Sequence, residues 1–207
     1  MNPIDPHALL AIQKQDPDPQ EVLEPPTERH PIQPNDETDE VVELAIYKVH
    51  PDQLANYPDA RAQMLAVLKT FGGYRSGQTF RAVSDANVFV DYFTWASLEA
   101  AQEAARQIEH LPEAQAFLQT IDSILVYHHL TFVTDGLIHG QAHPVPPTPH
   151  DVAEMAVYRV PEANQKALLR ERPVIFDMIK RYDGFRSGRT ARAVEDTEVI
   201  AVECGPA

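Results

Sequence analysis

The sequence predicts an α+β fold written twice along one chain, on three observations. The stretch Gly73-Tyr74-Arg75-Ser76-Gly77 recurs as Gly184-Phe185-Arg186-Ser187-Gly188, displaced by 111 positions. Extended without a gap, that offset makes 18 of 56 positions identical between residues 41–96 and 152–207. Each copy opens on a β-branched run and continues at helical spacing, so the repeat is of supersecondary units.

The first unit covers residues 41–133. Val41 to Val49 is a strand, ended by His50-Pro51. Leu54, Tyr57, Met64, Val67, Leu68 and Phe71 then recur at helical spacing, and Gly72-Gly73 supplies the stop. Thr79–Val83, a polar turn over 84–87, and Val88–Phe93 predict a hairpin. Ser97 is a good N-cap for a helix carrying Leu98, Ala101, Ala105, Ile108 and Leu111, which Pro112 breaks; another turn follows at 117–121. Ile124 to Val133 is the closing strand. The order βαββαβ is the split βαβ, ferredoxin-like arrangement: two helices on one face of a four-stranded antiparallel sheet.

Residues 134–151, with four prolines, are predicted to be an extended linker. The second unit, 152–207, repeats the first strand from Val152 to Val160. Its helix carries Leu168, Ile175, Met178, Ile179 and Tyr182, and a hairpin spans 190–203. It is a truncated βαββ, without counterparts of the second helix and fourth strand. Residues 1–40 hold eight prolines among many acids and no apolar period, the composition of a disordered tail. Within it only the stretch from His7 to Ile12 could form a helical turn.

With 43% hydrophobic residues the chain can bury a sizeable core. A net charge of −14 without a basic cluster argues against nucleic acid and anionic membrane as partners. The first residues lack the basic flank and apolar run of a secretory signal, so a cytoplasmic location is the expectation. Cys204 is alone, which excludes an internal disulfide and a thiolate cluster. His139, His143 and His150 lack metal-ligand spacing, and no metal site is predicted. There is no Gly-rich phosphate loop, nucleophilic Ser motif or paired-carboxylate signature.

A split βαβ sheet has helices on one face only, and two such sheets facing each other would enclose a chamber about 10 Å thick. The run Val88-Phe89-Val90-Asp91-Tyr92-Phe93-Thr94-Trp95-Ala96-Ser97-Leu98-Glu99-Ala100-Ala101, with Tyr127-His128-His129, resembles the antibiotic biosynthesis monooxygenase family of dimeric α/β barrels. The resemblance covers 41–133 and part of 152–207. It implies that the two units pack as an intrachain dimeric α/β barrel holding a small aromatic or quinol-like ligand, and that the activity is oxygenation without a cofactor. The haem-degrading branch has an Asn on the first strand and a Trp and a His in the second helix; Tyr47 and an alanine-rich helix stand here instead.

On that reading the catalytic candidates are Tyr47, Trp95 and His128 or His129. Trp95 either stacks on a flat substrate or anchors the second helix. Tyr47, like Tyr158 on the matching strand, either donates a proton to a developing phenolate or packs the barrel. His128 and His129 point to opposite faces, so one of them can serve as the base that deprotonates a substrate, unless both are edge-strand residues. Arg75, Arg81 and Tyr158 are the substrate-binding candidates; the arginines would hold an enolate oxygen or pair with Glu43 and Glu154. The alternative function is a non-catalytic binding or assembly module whose second unit only caps the first. A pocket holding Tyr, His and Arg favours the enzyme; a chamber filled by its own side chains favours the module. The second unit's uncovered sheet needs a cover: the first unit over its open face, with the tail around Leu9, Leu10 and Ile12 or the linker over the vacant helix site, in preference to a second copy in a homodimer.

Overall fold

A computed structural model describes residues 40–133, 138–139, 152–182 and 184–205. The expectations for the tail, and for His143 and His150, therefore lie outside the described residues.

The first half runs β1 (Val41–Val49), α1 (Tyr57–Leu68), β2 (Tyr74–Arg81), β3 (Val88–Trp95), α2 (Leu98–Ile108), α3 (Pro112–Leu118) and β4 (Ile121–Phe132). The second has β6 (Glu154–Arg159), α4 (Glu162–Ile179), β7 (Ser187–Ala193) and β8 (Val199–Gly205), with the short β5 (Ile138–His139) between the halves. The first helix starts at Tyr57 because Pro51 and its neighbours form one 3₁₀ turn instead. Ser97 accepts a hydrogen bond from the Ala100 amide at 3.2 Å, as its place before an apolar stripe predicts. Pro112 ends the preceding helix as expected but also opens a separate one, Pro112–Leu118, which reaches into the turn expected at 117–121, because proline at a first helical position costs no hydrogen bond.

Among the described residues all strands belong to one antiparallel sheet, in the order β2-β3-β1-β4-β7-β8-β6 with β5 beside β7. The first four strands have split βαβ order, and the last three repeat β2-β3-β1. Registers match at the same offset: Thr79 faces Asp91 as Thr190 faces Val202, and Tyr47 faces Phe89 as Tyr158 faces Ile200. The halves join where β4 meets β7 over Leu130↔Ala193, Thr131↔Arg192 and Phe132↔Ala191. Farther along the same edge of β7, Ile138 and His139 pair with Gly188 and Ser187. This described part of the linker therefore adds a strand rather than lying over α4.

Alternation along β1 sorts its side chains. Val42 and Leu44 face the second half and pack with Tyr92, Leu130, Ala191, Ala193, Val199 and Ala201. Val41, Glu43, Ala45, Tyr47 and Val49 take the opposite, helix-covered face. Tyr47 and Val49 there join Tyr57, Met64, Leu68, Phe89, Phe93, Trp95, Ala101 and Phe117. Burying each large side chain contributes about 1.5–3 kcal/mol.

The second half is covered less completely. Phe176 on α4 is fully buried, but Val174, Ile175, Met178 and Tyr182 remain exposed. Met64, the counterpart of Ile175, is buried. Helix α3 packs on α1, whereas no described element takes that place on α4. The expected apolar stripe of α4 is thus only partly used.

Candidate functional site

Between the two sheet halves the described residues leave a small cavity. Leu44, Tyr92, Leu130, Phe132, Met155, Arg189, Ala191 and Ala201 line a cavity of about 10 Å³, roughly the room one water needs.

The chemistry-bearing groups gather instead on the helix-covered face of the first half, in two clusters. One is centred on Asp91. Its Oδ1 accepts from Arg61 Nη2 at 2.7 Å and Thr79 Oγ1 at 2.8 Å, and its Oδ2 from the Tyr47 hydroxyl at 3.0 Å. Arg61 Nη2 also contacts Thr79 Oγ1. The Tyr47 and Tyr57 hydroxyls are 2.7 Å apart. Since Tyr47 directs its proton to Asp91, Tyr57 donates to Tyr47. Burial raises the Asp91 carboxyl above its ordinary range, against the opposing pull of Arg61. Burial likewise pushes the Tyr47 hydroxyl far above the usual tyrosine value, and Asp91 adds to the effect. Tyr47 is therefore a fixed neutral donor with a firmly held proton.

The second cluster lies across β1 and β4. His129 is opposite Glu43 in register and 0% exposed. Its Nδ1 is 2.5 Å from Glu195 Oε1, and its amide donates to Glu195 Oε2 at 3.2 Å. Glu195 comes from the β7–β8 turn of the second half. Burial would raise its carboxyl, but the hydrogen bond and charge of His129 draw it below the ordinary value. His129 Nε2 is buried without a protein partner, as is Trp95 Nε1. The Tyr127 ring stands edge-on to the imidazole at 5.5 Å. Glu43 keeps partial solvent contact, yet burial dominates its chemistry and raises its carboxyl to about 7; His129 opposes the rise, and the nearby Trp95 indole lowers it weakly without completing a hydrogen bond.

Glu195 and Glu43 thus both neighbour His129, the first bonded to Nδ1 and the second opposite it in register. With Nδ1 held by Glu195, the free Nε2 can accept a proton. Glu43 can take or return one near neutral pH.

The sequence-predicted residues divide accordingly. Tyr47, Trp95 and His129 share the helix-covered face. His128 is on the other face, half-buried, its imidazole lowered by burial. Arg75 is exposed on β2. Arg81 donates from Nε to the Ala86 carbonyl at 2.7 Å and stacks on Phe89, so the expected pairing with Glu43 does not form: Glu43 faces Phe93 and His129. Tyr158 is 45% exposed on β6, where its counterpart Tyr47 is 3% exposed. Arg61, Asp91 and Glu195 were missed. Arg61 is identical in both copies and falls among apolar helix positions, a readable signal; Glu195 is 66 residues from His129 with nothing linking the two.

No family model matches the sequence, and no curated protein matches it. Solved structures do. An anthrone oxidase-like protein is similar over 82% of this chain and 73% of its own, at 13% identity and a TM-score of 0.64. A candidate monooxygenase of Fusobacterium nucleatum is similar over 82% and 76%, at 10% identity and a TM-score of 0.60. One from Lactobacillus acidophilus covers 81% and 76%, at 9% identity and 0.53. The chain shares their fold. The mixed α+β architecture expected from the likeness of Val88–Ala101 to antibiotic biosynthesis monooxygenases is the one found. Among the described residues no helix is long and apolar enough to cross a membrane, and no group of three or more His, Cys, Asp or Glu could hold a metal ion.

Proposed function

We propose that the chain is a cofactor-independent oxygenase of a small aromatic or quinol-like compound, acting on the helix-covered face of the first half with His129 as base. The observation that carries this reading is the buried imidazole: Nδ1 anchored by Glu195 and Nε2 unpartnered, at the strand position opposite Glu43. The fold shared with an anthrone oxidase-like protein supports the substrate class.

For an aromatic methylene group next to a ring activated by a carbonyl, the balanced reaction consumes one dioxygen molecule. One of its oxygen atoms becomes the oxygen of a new carbonyl at the methylene carbon, and the other leaves as water with the two hydrogens that carbon gives up. His129 Nε2 removes one proton, which leaves an electron-rich carbanion. Its electrons pass to dioxygen, a carbon–oxygen bond forms, and the peroxide is protonated. Loss of water breaks the oxygen–oxygen bond and leaves the carbonyl. Glu195 fixes the ring and balances the imidazolium charge. Glu43, with a carboxyl near 7, can relay the proton, whereas Trp95 is fully buried in the core and serves as the anchor of the helix-covered face rather than as a stacking surface. Tyr47 supports Asp91 and Arg61 and does not transfer a proton. On this reading the two halves take within one chain the places that two subunits take in a dimeric α/β barrel.

A second reading, a binding module without turnover, is favoured by the small size of the cavity between the halves. Oxygen uptake with anthrone as probe substrate separates the two. The enzyme reading expects uptake that His129→Gln lowers by about 10²–10⁴-fold. Anthrone binding without uptake would establish the module instead.

A further inference from the structure

The second half keeps the donors of the Asp91 cluster and has lost the acceptor. At the repeat offset Arg61, Thr79 and Tyr47 become Arg172, Thr190 and Tyr158, whereas Asp91 becomes Val202. The placement is retained along with the residue types. Thr190 faces Val202 directly, as Thr79 faces Asp91. Arg61 stacks over Phe93 at 5.5 Å; Arg172 lies over Phe176 at 5.0 Å and acts electrostatically on Cys204, the counterpart of Phe93.

Arg172 is 9% exposed and Thr190 0% exposed. Arg172 Nε and Thr190 Oγ1 are both buried without a partner. No carboxylate among the described residues forms an ion pair with Arg172; Glu154, on the same face of β6, is exposed and forms none. A guanidinium cannot relieve its burial by losing a proton, so this arrangement calls for an anion.

There is also a way in. In the first half the Phe117 ring of α3 packs edge-on against Tyr47 at 5.8 Å and covers it. No described element holds that position in the second half. Tyr158 is exposed there, and so are the apolar side chains of Ile175 and Met178 on α4.

We propose that Arg172, Thr190 and Tyr158 form a receptor for the carboxylate of a small apolar acid, aromatic or aliphatic, whose body lies where α3 lies in the first half. The carboxylate takes the part of Asp91: a charge-assisted hydrogen bond from the Arg172 guanidinium, with Thr190 and Tyr158 donating hydroxyl protons. The apolar body covers Ile175 and Met178 and removes them from water. The proposal is independent of the oxygenase reading, because none of these groups belongs to the His129 cluster.

The test is thermal melting of the full chain with benzoate, phenylacetate and hexanoate, and with benzamide as neutral control. The acids are expected to raise the melting temperature saturably and benzamide to leave it unchanged. Val202→Asp, which restores the internal carboxylate, is expected to raise the melting temperature without ligand and weaken acid binding at least tenfold. Arg172→Met is expected to abolish the acid response while the protein stays folded. No shift with any of the three acids, equal shifts with benzamide, or acid binding that survives Arg172→Met would each overturn the proposal.

Discussion

Removing the Asp91 carboxylate should be among the most damaging single changes to the first half. Arg61 and Asp91 have side chains only 6% and 4% exposed, and Asp91 receives three hydrogen bonds of 2.7–3.0 Å. Asp91→Val leaves an uncompensated guanidinium and the Tyr47 hydroxyl without its acceptor. Breaking a buried pair from one side costs about 3–5 kcal/mol, and a stranded neutral donor about 1–3 kcal/mol more. Arg61→Met/Asp91→Val removes both charges together and should recover most of the loss, since apolar replacements of buried pairs are often neutral. Urea unfolding followed by tryptophan fluorescence measures both, because Trp95 is the only tryptophan and lies in the same core. At an m-value of about 2 kcal/mol per molar, the single variant should move the midpoint by about 2–4 M. A shift under about 0.5 M, or a double variant no better than the single, would refute the account.

The two carboxylates around His129 should pull stability in opposite directions in separate pH windows. Glu43 is raised in the fold to about 7, so the native state holds a proton that the unfolded chain has released; stability should fall as pH rises from about 4.5 to 7, and Glu43→Gln should flatten that slope in pH-dependent melts. Glu195 is lowered, so its contribution should be present above the ordinary glutamate value and be lost as pH falls through the acid range. Under the oxygenase reading, Glu195→Gln should lower kcat more than KM and change the His129 tautomer seen by imidazole ¹⁵N NMR; an unchanged tautomer would remove Glu195 as its positioning residue. Gly73 and Gly184 both have positive φ, 89° and 93°, but a Cβ on Gly73 would lie 2.5 Å from the Ala100 Cβ while one on Gly184 meets open space. Alanine should therefore cost about 1 kcal/mol at Gly184 and clearly more at Gly73 in equilibrium unfolding.

Periodicity carried the elements well because each strand and helix is half-buried, and a half-buried element must alternate or recur. The repeat did more. It aligned Tyr158 with Tyr47 and Arg172 with Arg61 before any contact was known. Alternation along β4 separates His128 from His129 but does not say which faces the helices; that depends on Leu44 and Leu130 both turning toward the second half. The Asp91 cluster was hidden because a single acid in Val88–Trp95 looks like an outward position until Arg61 is placed over it. Glu195 was beyond reach, since only the β4–β7 junction brings the two halves' residues together.

That junction also bears on how the protein is made. Three paired residues, the Val133 amide to the Thr190 carbonyl at 3.1 Å and the Val194 amide to the His129 carbonyl at 2.8 Å, knit β4 to a strand synthesised some sixty residues later. At about 5–20 residues per second, β4 waits seconds with its outer edge unpaired. Throughout that interval His129 has Glu43 beside it but no Glu195 to hold its ring. The imidazole is thus set in place only by completion of the second half, so a prematurely ended chain would carry every predicted catalytic side chain and an unanchored base.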